Sequence, residues 1–239
     1  MERQEGNDHV KIVNSGLNSL TTFGKETPPQ FEFDELKDAV QAARAAGLKT
    51  MVHANGYLPV SMAVQAGCDS IEHGYFMGRD NLKWMAEKGV TWVPTLFAME
   101  AYSRFFRHGS LESEIARRNL DHQLDQVRMA KEYGVIIAVG TDAGSPGICH
   151  GQAIREEIRL LMLAGIPLEI AVQCATSRGA GLLGLEDEMG TLAPGMPATF
   201  VATKGGPERL PEALDSPEAI FIRGKAIKRV STSYAGKEK

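Results

Sequence analysis

Four side chains that can bind a metal ion lie where short apolar runs give way to polar or glycine-rich turns. They are Lys11, His53, His73 and Asp142. Neutral imidazole and carboxylate groups are ordinary zinc ligands. A parallel α/β barrel builds its active site from the carboxyl ends of successive strands, so these four groups would share one site. The pattern predicts a divalent-metal centre that most simply holds zinc.

Strand-like runs alternate with helix-like segments along most of the chain. Strands are predicted around Lys11, His53 and His73, at Thr91–Thr95, and at Val135–Val139 before Asp142. Helices are predicted over about residues 33–46, 59–66, 79–88, 111–133 and 152–164, and the first should begin at an Asp34 N-cap. Most of them end at a glycine, which is the common helix stop. Strands alternating with helices of this length indicate βαβ units and a parallel sheet.

Side-chain alternation along the strands indicates which groups face the site. If Lys11 faces the centre of a barrel, Val10 and Ile12 face the helices. The same rule, applied to the strand that ends at His73, turns the neighbouring Glu72 away from the centre. The apolar residues between Leu96 and Phe106 are expected to pack over the pocket or the core.

The number of βα units does not complete a barrel. We count five units between about residues 9 and 165, whereas a closed (β/α)8 barrel needs eight. We therefore expect a partial TIM-type barrel, about strands four to eight, in residues 1–185, with three units preceding Met1; an open five-stranded sheet is the alternative. Residues 186–239 are expected to form a small sandwich-like β-appendage, with strands at Thr199–Val201, Ala219–Ile222 and Ala226–Val230.

Composition narrows the class of protein and the partners. The chain has 239 residues, of which 43% are hydrophobic, and a formal charge of −4, which argues against nucleic acid as a partner. No apolar run approaches the roughly 20 residues that cross a bilayer, and Met1–Gly6 lacks the apolar core of a signal peptide. The three cysteines have no metal or redox spacing. We expect a cytoplasmic protein that acts on a small molecule.

Several short motifs occur in an order that resembles the amidohydrolase superfamily, in its imidazolonepropionase-like and prolidase-like branch. The motifs are Val10-Lys11-Ile12, Val52-His53-Ala54, Ser70-Ile71-Glu72-His73-Gly74, Val93-Pro94-Thr95, Gly140-Thr141-Asp142-Ala143-Gly144, His150-Gly151 and Gly190-Thr191-Leu192-Ala193-Pro194-Gly195. Each motif alone is common, but their order and barrel-like spacing are specific.

The resemblance implies a role for each candidate residue. Lys11 would be carboxylated on its amine and bridge two metal ions, while His53 and His73 would bind the more exposed ion. Asp142 would bind the buried ion and take the proton of the attacking hydroxide, and His150 would contact the substrate. The activity implied is metal-dependent hydrolysis of amide or cyclic-amide C–N bonds, in which metal ions activate water and polarise the carbonyl.

The chain departs from the family pattern in one respect that affects its chemistry. The His-x-His pair of the family's first strand is absent, since none of the six histidines forms such a pair. Two alternatives therefore stay open: phosphoester or lactone hydrolysis at the same centre, or a non-catalytic fragment. An unpaired first strand would also recruit a missing amino-terminal half or a second copy of the chain.

Counting ligands gives a testable prediction. Carboxylated Lys11, His53 and His73 offer three ligands, which suffice for one open zinc site, whereas a second ion would have only Asp142 and the shared carbamate. We expect the chain to retain at most one metal ion and to hydrolyse substrates poorly. Elemental analysis of the purified chain measures this, and two tightly held ions per chain would contradict it.

Overall fold

The computed structural model describes residues 8–227, and its centre is a parallel sheet. Strands β1 (His9–Val13), β2 (Lys49–Ala54), β3 (Ser70–His73) and β4 (Thr91–Val93) lie side by side in chain order. The predicted parallel α/β arrangement is therefore confirmed for these units. The interpretation of Met1–Gly6 and the residues of the last predicted strand beyond Ile227 lie outside the described residues.

One face of the sheet is covered by the connecting helices. These are α1 (Phe33–Ala45), α2 (Tyr57–Ala66) and α3 (Gly78–Lys88). Alternate strand residues point into this layer and are almost fully buried: Ile12, Val52, Ile71 and Trp92. Burying apolar side chains between helices and sheet is the main favourable term in folding. The opposite face of the strands carries the polar residues Lys11, His53 and Glu72.

Later helices complete the described part of this α/β region. They are α4 (Leu96–Phe105), α5 (Leu111–Tyr133), α6 (Gln152–Leu163), α7 (Leu168–Cys174) and α8 (Ser177–Leu183). The predicted bounds of α5 are confirmed. The sequence analysis does not identify α4 as a helix, although its first residues are buried as expected. Among the described helices, α5 included, none combines the length and apolar character needed to cross a membrane.

The strand predicted at Val135–Val139 is wrong in extent. This segment touches β4 through one isolated bridge, in which Trp92 N–H donates to the Ile136 carbonyl (2.8 Å) and Ala138 N–H donates to the Trp92 carbonyl (3.0 Å). The next bond of a parallel ladder would need the N–H of residue 94, and Pro94 has none. Val139 N–H donates instead to the Cys174 carbonyl of α7. The described residues thus show no closed barrel.

The N-cap of the first helix lies two residues before the predicted one. Glu32, not Asp34, is the N-cap of α1, and its backbone N–H donates to the Glu35 carboxylate (2.9 Å). A glutamate three residues after the N-cap can reach back in this way and satisfy a free amide. The correction moves only the N-cap, since the helix begins at Phe33 as expected and Gly47 follows its last turn in a left-handed conformation.

The described part of the tail forms a small antiparallel sheet. Its strands are β5 (Phe200–Ala202), β6 (Ala219–Ile222) and β7 (Lys225–Ala226), in that order across the sheet. An ion pair between Arg155 of α6 and Asp215 links the tail to the preceding helices (2.6 Å). The described tail is a single sheet, and whether residues 186–239 fold as a separate domain stays a prediction.

A buried carboxyl group from α6 holds the start of α4. Glu157, 1% exposed, accepts hydrogen bonds from the backbone N–H groups of Leu96 (3.0 Å) and Phe97 (2.8 Å). These are amides of the first turn, which have no partner within their own helix. Burial nevertheless raises the pKa of Glu157 to about 8, because it outweighs the two donors. The folded chain therefore keeps this proton where the unfolded chain loses it.

This raised pKa predicts a pH-dependent stability. Between the ordinary carboxyl value of 4.5 and about 8, the unfolded chain releases the Glu157 proton first, so the free energy of unfolding falls as pH rises. Glu157→Gln should make the stability less dependent on pH in that window. Urea unfolding at several pH values measures the slope. The exposed Glu169→Gln serves as control, and an unchanged slope in Glu157→Gln would contradict the prediction.

Candidate metal centre

The inner face of the sheet carries the polar residues of the candidate site. Residues paired in a parallel register share a face, and β1 pairs Lys11 with Met51 and Val13 with His53. Ile12, between Lys11 and Val13, faces the helices. Lys11 and His53 therefore lie on the same face, opposite the helix layer of α1, α2 and α3, as predicted from alternation. Lys11 itself is exposed there.

His73 reaches this face through an unusual backbone conformation. It is the last residue of β3 and pairs with Ala54, which faces the helices, so a regular strand would turn His73 away from His53. Its φ of 68° is left-handed and breaks the alternation. The two imidazole rings consequently meet edge to face, with centroids 4.6 Å apart. The ends of two neighbouring strands thus bring two predicted ligands together.

The expectation that Glu72 points away from the centre is wrong. Glu72 pairs with His53 on one side and with Val93 on the other, so it shares their inner face. It is 6% exposed and accepts a hydrogen bond from the Ser70 hydroxyl (2.6 Å). Burial raises the pKa of Glu72, while nearby Lys11 lowers it. Both Glu72 and His73 face the site because the alternation fails at His73.

Hydrogen bonds fix the orientation of both imidazoles. His73 Nδ1 lies 2.7 Å from the Thr95 hydroxyl, while His53 Nε2 lies 3.3 Å from the Gly16 carbonyl and 3.4 Å from the Asn55 amide. Burial lowers the pKa of His73 to about 3 and also lowers that of His53. Both rings are therefore neutral near pH 7. A neutral imidazole is the form that binds a metal ion.

Asp142 and His150 lie on one loop at the edge of this centre. Asp142 is exposed and has a left-handed φ of 49°. Its negative charge opposes the lowering of the His53 pKa by burial and adds to the raising of the Glu72 pKa by burial. His150 is also exposed, and its Nε2 lies 3.9 Å from where a Cβ on Gly144 would stand. The loop folds back through a bond from Gly144 N–H to the Ile148 carbonyl. His150 thus returns to the neighbourhood of Asp142.

The residues present fit one divalent cation. Two buried, neutral imidazoles stand side by side, and Lys11 and Asp142 are close enough to change the pKa of His53. Imidazole and carboxylate are the donors that zinc prefers. Within residues 8–227, no three His, Cys, Asp or Glu side chains are assembled as a ready metal cluster.

Sequence reasoning missed the residues that support the two histidines. Thr95 follows β4 after Pro94 and has a left-handed φ of 46°, and its hydroxyl lies against His73. Asn55, 5% exposed, accepts from Tyr75 N–H while its amide lies against His53. The signal for both was their place at a strand end beside a predicted ligand. Such positions recur at active sites of parallel α/β proteins.

Comparison with known proteins places the chain in a family. Residues 2–233 match the model of the amidohydrolase family. An uncharacterized protein of Mycobacterium tuberculosis is 27% identical over an alignment of 236 residues. This alignment covers 95% of this chain and 60% of that protein. Ochratoxinase of Aspergillus niger is also 27% identical, over 92% of this chain and 45% of its own length. The resemblance carried by the motifs is confirmed.

A solved structure agrees with the sequence matches. A Xaa-Pro dipeptidase with methionine bound in its active site is 33% identical and superposes with a TM-score of 0.81, over 94% of this chain and 55% of that one. A TM-score of this size over nearly the whole chain supports the arrangement of strands and helices described above. The chain thus spans between 45% and 60% of the length of these proteins.

The turn after His73 gives a prediction about backbone freedom. Gly74 has a φ of 65°, and a Cβ there would stand 2.6 Å from Met77 Cε and 2.8 Å from Trp92 Nε1. Gly74→Ala should therefore cost about 1–2 kcal/mol for the left-handed backbone and about 1–3 kcal/mol more for overpacking. Urea unfolding measures the sum of the two costs as a loss in the free energy of unfolding. Gly89→Ala, at a φ of 68° with open space around it, isolates the backbone part, and equal losses would contradict the prediction.

Proposed function

Because the chain belongs to the amidohydrolase family, we propose that it takes part in metal-dependent hydrolysis of amide or cyclic-amide C–N bonds. The observation that carries this proposal is the contact between the His53 and His73 rings at the ends of adjacent parallel strands. The names of its relatives, a Xaa-Pro dipeptidase and an ochratoxinase, fit hydrolytic chemistry. The substrate is proposed to be a small molecule that reaches the centre from the face of the sheet opposite α1, α2 and α3.

The proposed metal site combines the two imidazoles with two charged side chains. His53 and His73 would be the fixed ligands, because both are held by hydrogen bonds and both are neutral. Asp142 would supply a carboxylate oxygen, and Lys11 would reach the ion after carboxylation of its amine. Zinc is the ion that such nitrogen and oxygen donors suit best. When bound, the ion would supply an activated water and polarise the scissile carbonyl.

The chain's own residues would handle the substrate and the proton. Asp142, exposed beside the imidazole pair, would accept a proton from the attacking water. Water oxygen adds to the carbonyl carbon, the C–N bond breaks, and the proton held at Asp142 passes to the departing nitrogen. His150, on the same loop, would orient the substrate. Thr95 keeps Nδ1 of His73 occupied and leaves Nε2 free for the ion.

We further propose that the edge of the sheet pairs with another polypeptide segment. Among residues 8–227, β1 hydrogen-bonds to β2 on one side and to no strand on the other. Val13 and Leu17, at and just beyond its end, are 52% and 82% exposed. Exposed strand edges of this kind favour pairing with a further strand. The additional length of the relatives, or a second copy of this chain, could supply it, and sizing of the purified chain separates a monomer from an assembly.

Removal of one imidazole tests the metal site. His53→Asn and His73→Asn should each weaken zinc binding by more than about tenfold, because each removes a ligand of the proposed site. His108→Asn, at an exposed position between α4 and α5, should bind zinc like the unaltered chain. Competition with a chromogenic chelator measures the affinity. Equal affinities for all the variants would overturn the proposed site.

The reaction class is tested separately with a panel of substrates. N-acyl amino acids, Xaa-Pro dipeptides, lactones and organophosphates should be supplied with the zinc-loaded chain under the same conditions. The proposal expects turnover of the amide substrates that is lost in His73→Asn. Turnover confined to lactones or organophosphates would replace the proposed reaction with ester hydrolysis.

A further inference from the structure

The backbone that presents His73 is held in a conformation that isolated residues avoid. His73, Gly74 and Phe76 have φ values of 68°, 65° and 58°. A left-handed conformation costs roughly 1–2 kcal/mol for a residue other than glycine. Such strain persists only where surrounding contacts over-determine the conformation. Contacts that do so here come from α5, which packs against α3 and α4 and bonds to the turns at the ends of β3 and β4.

Two buried glutamines on α5 bind the carbonyl groups of this turn. Gln123, with no exposed surface, donates from Nε2 to the carbonyls of His73 (2.5 Å) and Pro94 (3.2 Å). Gln126, 1% exposed, donates to the Gly74 carbonyl (3.1 Å) and to Oε1 of Gln123 (2.7 Å). Gly78 N–H donates in turn to Oε1 of Gln126 (3.3 Å). Successive residues of the strained turn are thus tied to one helix.

The orientation of the Gln123 amide is fixed by its partners. Both of its donor positions face carbonyl oxygens, and its acceptor faces the Gln126 amide. A rotated amide would place its oxygen against two carbonyls, which repel it. Every group of the pair is satisfied, and a fully satisfied buried network specifies one geometry. The Gln123 amide therefore acts as a rigid bridge between two backbone segments.

That bridge joins the segments whose side chains meet at the candidate centre. One segment carries His73, and the other carries Thr95, directly after Pro94. The Thr95 hydroxyl is the partner of His73 Nδ1 (2.7 Å). Trp92 Nε1 also donates to the His73 carbonyl (2.9 Å), from the side of the sheet. Losing the Gln123 amide would leave Trp92 to hold this carbonyl and would free the Pro94 carbonyl.

We propose that Gln123 is a positioning residue that sets the direction of the His73 imidazole by clamping the His73 and Pro94 carbonyls together. The proposal rests on the proposed function in one respect, the role of His73 as a metal ligand. Gln123 does not touch the candidate site, and it acts through the backbone. Groups behind a metal ligand commonly change metal affinity by about 10- to 100-fold when they are removed.

A merely structural role for Gln123 makes a different prediction. Helix α5 also docks through buried apolar residues, among them Leu120, Leu124 and Val127. Asn119, one turn before Gln123 and equally buried, donates to the Ser19 carbonyl (3.0 Å), which belongs to the loop after β1. If Gln123 only anchors α5, removing either amide should lower stability with the same effect on metal binding.

Gln123→Met and Asn119→Leu in the full chain separate these possibilities. Both variants should lose stability in urea unfolding, because each leaves a backbone carbonyl without its donor. Only Gln123→Met should weaken zinc binding, by about 10- to 100-fold in chelator competition. Equal zinc affinities in the two variants would overturn the proposal. If Gln123→Met does not fold, Gln126→Met removes the partner of the Gln123 amide and should weaken zinc binding in the same direction.

A measurement without metal distinguishes failure of this proposal from failure of the proposed function. The ring nitrogen resonances of His73 in the metal-free chain report its tautomer and its bond to Thr95. They should change in Gln123→Met and stay in place in Asn119→Leu. If the unaltered chain binds no zinc but these resonances change, the metal site is wrong and the positioning role holds. Unchanged resonances in Gln123→Met would overturn the positioning role in either case.

Discussion

Three neighbouring extended segments each lead into a residue with a left-handed backbone, and the candidate centre depends on these three residues. His73 ends β3, Thr95 follows β4 and Pro94, and Asp142 follows the extended segment that touches β4; their φ values are 68°, 46° and 49°. Each conformation costs free energy, roughly 1–2 kcal/mol. At His73, whose side chain regular pleating would direct toward the helices, the left-handed conformation turns the imidazole toward His53 instead. Strain of this kind concentrates at functional sites.

The structure supports these strained positions from behind. Hydrogen bonds hold the backbone around Thr95. Gln123 donates to the Pro94 carbonyl, and the Tyr75 hydroxyl donates to the Thr95 carbonyl (3.3 Å). Glu157 accepts from the two backbone amides that follow Thr95. Helix α5 therefore holds the backbone just before Thr95, and helix α6 holds the backbone just after it. The polar residues buried in these helices are explained by the turns they hold, since an unpaired buried polar group would be costly.

The sequence predicted the parts of the molecule that depend on local chemistry. Glycines after 133 and 88 ended their helices where expected, and the apolar strands placed Lys11 and His53 on one face. The orientation of Glu72 was mispredicted because strand alternation was carried through to His73, whose left-handed backbone no local pattern announces. The prediction of a fifth strand at Val135–Val139 was wrong in extent for a tertiary reason. Pro94 of the adjacent chain segment has no N–H to continue the hydrogen bonding beyond one bridge. The Gln123 bridge joins residues 50 and 29 positions away, which periodicity does not reveal.

The single bridge beside Pro94 also separates the centre into two mechanical parts. Both histidines belong to the four-stranded sheet, whereas Asp142 follows a segment that, within residues 8–227, joins this sheet by one rung and then bonds to α7 through Val139. A ligand that draws Asp142 toward the two imidazoles would disturb few sheet hydrogen bonds. The distance between Asp142 and the imidazoles is therefore the dimension of the centre that sheet hydrogen bonds constrain least, and the missing N–H of Pro94 is the reason.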